Sequence, residues 1–361
     1  MRLLIATPLY PPDLGGPATY THLLETGFPG SVTVVAFGTV RMYPKLIRHF
    51  MYFWNVFRAA KNTDMILALD PVSVGLPASL AARLRRKKFV VKIVGDYAWE
   101  QGVQRFGVKD SLDVFVRHSR VPFPVAALRA VQTYVATNAQ KIIVPSNYLK
   151  GIVSAWGISR SKIEVIYNAI ELEKGGVVPN GVSTAPAPRI VTVGRLVPWK
   201  RIGGIIDAAA ALHAKATLII VGEGPERKVL EKAADAKLPG RVIFTGACSH
   251  ADTLAILEVA DVFVLNSSYE GLSHVLIEAL MLGVPVIATD AGGNNELITN
   301  RENGILIPVE ETGQTALLYA LEELLTNTEF AESLRHHARE AQTRFSADTM
   351  RTKTAEFLST I

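Results

Sequence analysis

One cysteine, Cys248, is all the 361-residue chain contains, so no disulfide forms within it and a reducing compartment suits it. Also missing is any uninterrupted apolar run near the roughly 20 residues that a membrane-spanning helix requires. The apolar run that opens the chain stops at Thr7 and Pro8, too early for the h-region of a secretory signal, and reads as a first buried strand. The expected setting is therefore cytoplasmic, either free or peripheral on the inner face of the cell membrane. Acidic residues are scarce in one half only. Residues 1–180 hold 22 Lys+Arg against 11 Asp+Glu, and residues 181–361 hold 16 against 22, giving +11 and −6 and the net +5 of the whole. No internal repeat or low-complexity tract breaks the pattern.

What is present is a soluble, globular composition, 49% hydrophobic and 20% charged, in a chain long enough for two domains. Apolar runs of strand character alternate with helix-length segments: RLLIAT, SVTVVAFG, MILALD, KFVVKIVG, KIIVPS and IEVIYNAI, then RIVTVGR, ATLIIVGEG, RVIFTG, DVFVLNSS, PVIATD and GILIP. Near-continuous Val/Ile/Leu runs mark strands covered on both faces, so the expected class is α/β, with two doubly wound Rossmann-like domains and predominantly parallel sheets. The Gly-, Pro- and Ser-rich stretch around GGVVPNGVSTAPAP reads as a linker. The expected boundaries are a first domain over 1–172, a linker over 173–188, a second domain over 189–340, and a C-terminal helix over 341–361 that packs on the second sheet or crosses back to the first domain.

Ligands of open α/β sheets sit beyond the C-terminal ends of the strands, so the loops there hold the candidate chemistry. After the first strand, Gly15 and Gly16 precede a helix start where backbone approach and amides favour an anion, although the spacing of a dinucleotide fingerprint is absent. In VTVGRLVPWKR the strand ends at Gly194 and is followed by Arg195 and, five residues later, by Lys200 and Arg201 at a helix start, where basic residues oppose the helix dipole. A diphosphate gives them a motive, with Arg195 as fork and Lys200 as point charge. The stretch SYEGLSHVLIEAL carries Glu270 in a loop and Glu278 about two helical turns further on, a spacing that returns both to nearly one face. Carboxylates beside a phosphate held by cations are free for sugar hydroxyls, which places Glu270 on a sugar ring and Glu278 on a ribose. Gly271, Leu272 and Ser273 would give amides to the phosphates between them.

These motifs together resemble the retaining GT-B glycosyltransferases of family 4. The resemblance rests on YPPDLGG with Tyr20, PSNYLK, VIYNAI with Asn168, VGRLVPWKR, VGEGPER with Gly222, YEGLSHVLIEA, GGNNELI with Glu296, and NGILIP, and spans essentially the whole chain. It implies a cleft between two domains holding a nucleotide-diphosphate sugar, GDP- or UDP-linked, and transfer of a hexosyl group, mannosyl or glucosyl, to a saccharide or lipid-linked acceptor with retention. Gly15, Gly16, Asn168, Gly194, Gly222, Gly271, Leu272, Ser273, Glu278 and Glu296 would bind the donor, and Arg195, Lys200 and Glu270 would act at the transfer itself. The sequence departs from the family twice. Asn168 is followed by Ala169 where the family has glycine, and KIVGDYAWEQ lacks the usual histidine, leaving Asp96 as the nearest polar substitute for a sugar contact or as a helix cap. No Asp-x-Asp pair occurs, so no metal is expected.

On the acceptor side, residues 41–61 combine basic and aromatic residues. At 100° per residue Arg41, Lys45, Arg48 and His49 gather on one face, and Leu46, Ile47, Phe50, Phe53, Trp54 and Phe57 on the other. The favoured expectation is a helix packed on its sheet through the aromatic face with a solvated basic back. The alternative, strengthened by the cationic run RLRRKK, is a face lying on an anionic membrane surface. The resemblance points to cell envelope polysaccharide or glycolipid biosynthesis. A catalytically silent carbohydrate- or lipid-binding scaffold and a sugar-nucleotide epimerase are the competing readings, and no nucleic-acid partner is expected.

Overall fold

The structure, a computed structural model, describes residues 1–11, 13, 15–118, 120–310, 312–339 and 345–361. The chain divides into two compact units: Met1–Ala169 with Ala347–Ile361, and Ile170–Ser346. The boundary drawn at 340 and 341 lies outside the described residues.

All twelve apolar runs are strands. In the first unit β1 (Arg2–Thr7), β2 (Ser31–Ala36), β3 (Met65–Ala68), β4 (Lys88–Lys92), β5 (Lys141–Val144) and β6 (Ile163–Val165) form one sheet in the order β2-β1-β3-β4-β5-β6. In the second, β7 (Arg189–Val193), β8 (Thr217–Val221), β9 (Val242–Gly246), β10 (Val262–Leu265), β11 (Val286–Thr289) and β12 (Ile305–Ile307) follow the order β12-β11-β10-β7-β8-β9. Every pairing is parallel, as in β1 with β3 or β7 with β8. The central strands β3, β8, β10 and β11 are buried at every position, which is why their sequences do not alternate. The edge strands β2 and β9 are half-buried throughout or partly exposed.

Each unit has its own apolar core. In the first, Leu3, Ile5, Leu23, Leu24, Leu67 and Val90 pack with Met350, Ala355 and Leu358 of the helix Ala347–Ser359. That helix is tied down by the Tyr20 and Thr354 hydroxyls, 3.3 Å apart, and by Arg351 Nε donating to the Leu23 carbonyl at 2.8 Å. It crosses back to the first unit. In the second unit Ile205, Leu218, Val264, Ile287 and Leu321 lie at the centre. The segment expected to be a linker belongs to the second unit: Asn180–Ser183 is a helical turn, and Val177 N donates to Asp252 Oδ1 at 2.7 Å.

The 41–61 segment departs from the favoured expectation. The helix Lys45–Ala59 buries Tyr52 and Val56, with the Tyr52 hydroxyl donating to the Val35 carbonyl at 2.8 Å. Ile47, Phe50 and Trp54 turn outward at 50%, 64% and 39% exposure, with Met42 and Tyr43 exposed just ahead of them. Phe53 and Phe57 are half-buried at the margin. A hydroxyl that finds a backbone partner is cheap to bury, so Tyr52, not the tryptophan, faces the sheet. The Lys45 and Leu46 side chains lie outside the described residues. Among the described residues, no helix is long and apolar enough to cross a membrane.

Candidate active site

In the second unit the strand order changes direction between β7 and β10, and ligands of doubly wound sheets bind beyond the strand ends at such a switch point. Arg195, Lys200 and Glu270 leave those two strand ends. Gly194 has φ +152°, and a Cβ on it would come within 3.4 Å of Lys200 Cε, so the glycine lets the lysine side chain fold back across the strand end. The turn Pro198–Lys200 is then stapled to the β10 loop. Ser268 N donates to the Trp199 carbonyl at 2.7 Å, and Asn266 Nδ2 to the Arg201 carbonyl at 3.1 Å. Arg201, with φ 49°, turns the chain into the helix Ile202–Ala211 and donates to the Val309 carbonyl. It is therefore occupied structurally.

This geometry sets Lys200 Nζ 2.5 Å from Glu270 Oε1, with both side chains largely buried. The sequence reading assigned the two to different parts of a ligand; in the structure they are ion-paired with each other. Arg195 is exposed, and its side chain makes no hydrogen bond or ion pair among the described residues. Gly222, φ +129°, closes the floor: a Cβ there would lie 2.1 Å from the Gly194 carbonyl oxygen, so only glycine lets the β7 and β8 loops meet. The Glu270 carbonyl accepts from Gly293 N at 2.9 Å, which fastens the Glu270 loop to the turn Gly292–Glu296. Glu296 is half-buried in that turn.

Glu270 and Glu278 do not share a helix. The helix His274–Met281 begins after Glu270, with Ser273 as its cap: Ser273 Oγ accepts from Leu276 N at 3.3 Å. Glu270 stands in the loop and Glu278 on the helix, as the sequence places them, and the two carboxylates turn to different partners. Leu272 and Ser273 are buried in the same bend as Gly271. Glu278, 7% exposed on an otherwise apolar helix, accepts from His250 Nε2 at 3.1 Å. The other nitrogen of His250, Nδ1, lies 3.1 Å from Glu173 Oε1. With the Glu278 carboxylate as the larger influence and Glu173 adding to it, the His250 imidazolium is held up to about 9.

The first unit holds the remaining candidates. Gly15, φ +141°, begins the helix Gly16–Gly27, where a Cβ would meet Leu9 Cδ1 at 2.9 Å. Pro17 brings no N–H, so this helix start offers fewer amides to an anion than an ordinary one. Asn168 is buried, and its Oδ1 has no partner among the described residues. Asp96 is a cap: Oδ1 accepts from Trp99 N at 2.9 Å and Oδ2 from Trp156 Nε1 at 3.0 Å, at 1% exposure, and burial raises its pKa above the usual carboxylate value. Both of its oxygens are engaged, which argues against a sugar contact.

Sequence reasoning missed two charged groups. His250 looks like one more helix-start residue in FTGACSHAD. Lys92, at the end of β4, has its ammonium buried 3.9 Å from the centre of the Tyr20 ring, without a hydrogen bond among the described residues. A lysine inside the run FVVKIV was the available signal.

Comparison with known proteins agrees with this layout. The family described as Glycosyl transferases group 1 matches residues 182–341, and that described as Glycosyltransferase Family 4 matches residues 5–174. An alpha-D-kanosaminyltransferase of Streptomyces kanamyceticus is 34% identical over 42% of this chain and 40% of its own length. A GDP-mannose-dependent alpha-mannosyltransferase of Mycobacterium tuberculosis is 38% identical over 34% of this chain and 31% of its own. In both, the match spans less than two-thirds of the relative. A crystal structure of Anabaena HepE in complex with UDP and glucose superposes with a TM-score of 0.79 at 21% identity, covering 100% of both chains. The twin parallel sheets and that likeness are those of the GT-B fold.

Proposed function

Because the chain belongs to the group 1 glycosyl transferases, with an N-terminal half of the family 4 type, we propose that it transfers a hexosyl group from a nucleotide-diphosphate sugar to a saccharide or lipid-linked acceptor. The observation that carries this reading is the Lys200–Glu270 pair at the β7/β10 switch point, with the exposed Arg195 following the end of β7. A diphosphate competes with Glu270 for the ammonium. Lys200 and Arg195 then neutralise the charge that grows as the nucleotide leaves, and Glu270 is released to accept from the sugar hydroxyls. Glu278 accepts from the ribose. With two cations at the phosphates the transfer needs no metal. Retention follows if the departing phosphate takes the acceptor proton on the face it leaves, so no protein nucleophile is required.

Mannose and glucose are the favoured sugars, supported by a GDP-mannose-dependent relative and by a similar structure holding UDP and glucose. The outward aromatic face of the Lys45–Ala59 helix supports work at the inner face of a membrane, in building cell envelope polysaccharide or glycolipid. A silent carbohydrate- or lipid-binding scaffold and a sugar-nucleotide epimerase both predict no acceptor-dependent nucleotide release. The test is a panel of UDP- and GDP-hexoses with saccharide and polyprenyl-linked acceptors, scored by nucleotide release and by the anomeric configuration of the product. Lys200→Ala and Glu270→Ala should each lose about a hundredfold in turnover, and chelator should leave the wild type unchanged. Release at the wild-type rate in both variants overturns the assignment.

A further inference from the structure

We infer that His250 is a positioning residue for the donor: clamped between Glu173 and Glu278, it fixes one oxygen of Glu278 and neutralises that carboxylate so that it can lie beside a diphosphate. The inference rests on the ribose-binding role proposed for Glu278, and its test separates the two.

The geometry begins with an anomaly. His250 opens the helix His250–Glu258, and a cation there opposes the helix dipole. Two carboxylates from separate elements compensate. Glu278 Oε1, from the helix His274–Met281, lies 3.1 Å from Nε2, and Glu173 Oε1, from the segment ahead of β7, lies 3.1 Å from Nδ1. Each carboxylate accepts, so both ring nitrogens donate and the ring is an imidazolium. Among the described residues these are the two charges that face it. Asp252, on its own helix, is engaged by Val177 N and Ser249 Oγ. The 173–177 segment is pressed onto the same first turn, where a Cβ on Gly176 would come within 1.9 Å of the Ala251 carbonyl oxygen, so the clamp is built from both sides.

The consequence falls on Glu278. His250 takes its Oε1, while its Oε2 accepts no hydrogen bond among the described residues. A carboxylate turned by one fixed donor presents its second oxygen in one direction, as a ribose diol needs. A bare carboxylate would also repel the diphosphate, and an imidazolium in contact cancels that repulsion.

UDP and GDP titrations by calorimetry, with donor KM and kcat across pH 6.5–10, test this on the full chain. His250→Gln should weaken nucleotide binding and raise donor KM about tenfold, the scale of a lost hydrogen bond to a charged group, with kcat nearly unchanged. In the wild type, donor KM should rise as pH passes about 9, where the imidazolium loses its proton, and that rise should vanish in His250→Gln. Glu173→Gln, which keeps the shape, should shift the rise to lower pH. If Glu278→Ala weakens binding but His250→Gln does not, the inference fails alone. If Glu278→Ala binds both nucleotides as the wild type does, the ribose assignment fails with it. A loss in His250→Gln that persists undiminished in the Glu278→Ala background also overturns the inference, because the effect would not pass through Glu278.

Discussion

Among the described residues, no acidic group answers the charge of Lys92. At 2% exposure, with the Tyr20 ring against its ammonium, it is lowered by burial from 10.5 to about 7. The folded pKa lies below the unfolded one, so between about pH 7 and 10.5 the unfolded chain binds the extra proton and stability rises with pH through that window. Below it, both states are protonated and this dependence ends. Lys92→Met should stabilise the protein at pH 7, by roughly 1–3 kcal/mol, because it removes the cost of burying an ammonium and loses only a cation–π contact. It should also flatten the rise in stability between pH 7 and 10 seen by urea denaturation. An unchanged slope would mean that the ammonium is solvated. At this scale legibility followed local context. Glu270, Lys200 and Arg195 stood out because their types were wrong for their places in an apolar or dipole-opposed stretch. His250 and the Lys200–Glu270 pairing did not, because they join positions 28 and 70 residues apart in the chain. Asp96 read equally well as ligand or cap, and its two donors, Trp99 and Trp156, favour the cap.

Among elements, strands were the most legible, since burial on both faces leaves an unbroken apolar run that little else produces. Their lengths were less so: IEVIYNAI gives only Ile163–Val165 before the backbone leaves the sheet. The Lys45–Ala59 helix shows why amphipathic patterns mislead. Periodicity separates two faces but does not say which one meets the sheet, and here Tyr52 and Val56 do. The outward face sets Ile47, Phe50 and Trp54 in a region, residues 41–88, with ten Lys+Arg against Asp64 and Asp70 alone. Asp64 is already paired with Arg2. Such a face suits an anionic bilayer. In flotation with phosphatidylglycerol-containing liposomes the wild type should rise with the vesicles, and a Phe50→Ser, Trp54→Ser variant should lose about tenfold or more in partitioning. Equal, negligible flotation on anionic and neutral vesicles would remove the membrane from the account.

For the whole molecule, the charge asymmetry was readable by counting, and the two units by the run of strands. The helix Ala347–Ser359 was readable only as an alternative, because a helix pattern does not name the sheet that receives it. Its place in the first core makes a prediction. A chain stopped at Ser346 uncovers Leu23 and Leu24 and strips Tyr20 of its hydroxyl partner. The loss of Met350, Ala355 and Leu358 should cost the first unit about 5 kcal/mol, lowering its thermal transition and leaving that of the second unit in place. A single unshifted melt would show that the helix is dispensable.

That return also sets a timetable. Residues 170–346 form an insert between the two pieces of the first unit, so the first core is complete only once translation has passed Leu358. At about 5–20 residues per second, the half-built β1–β6 sheet waits on the ribosome for roughly ten seconds or more while the insert is made and folds. The basic, aromatic unit is thus completed after the unit inserted into it, and is the one more exposed to chaperones and membranes in the meantime.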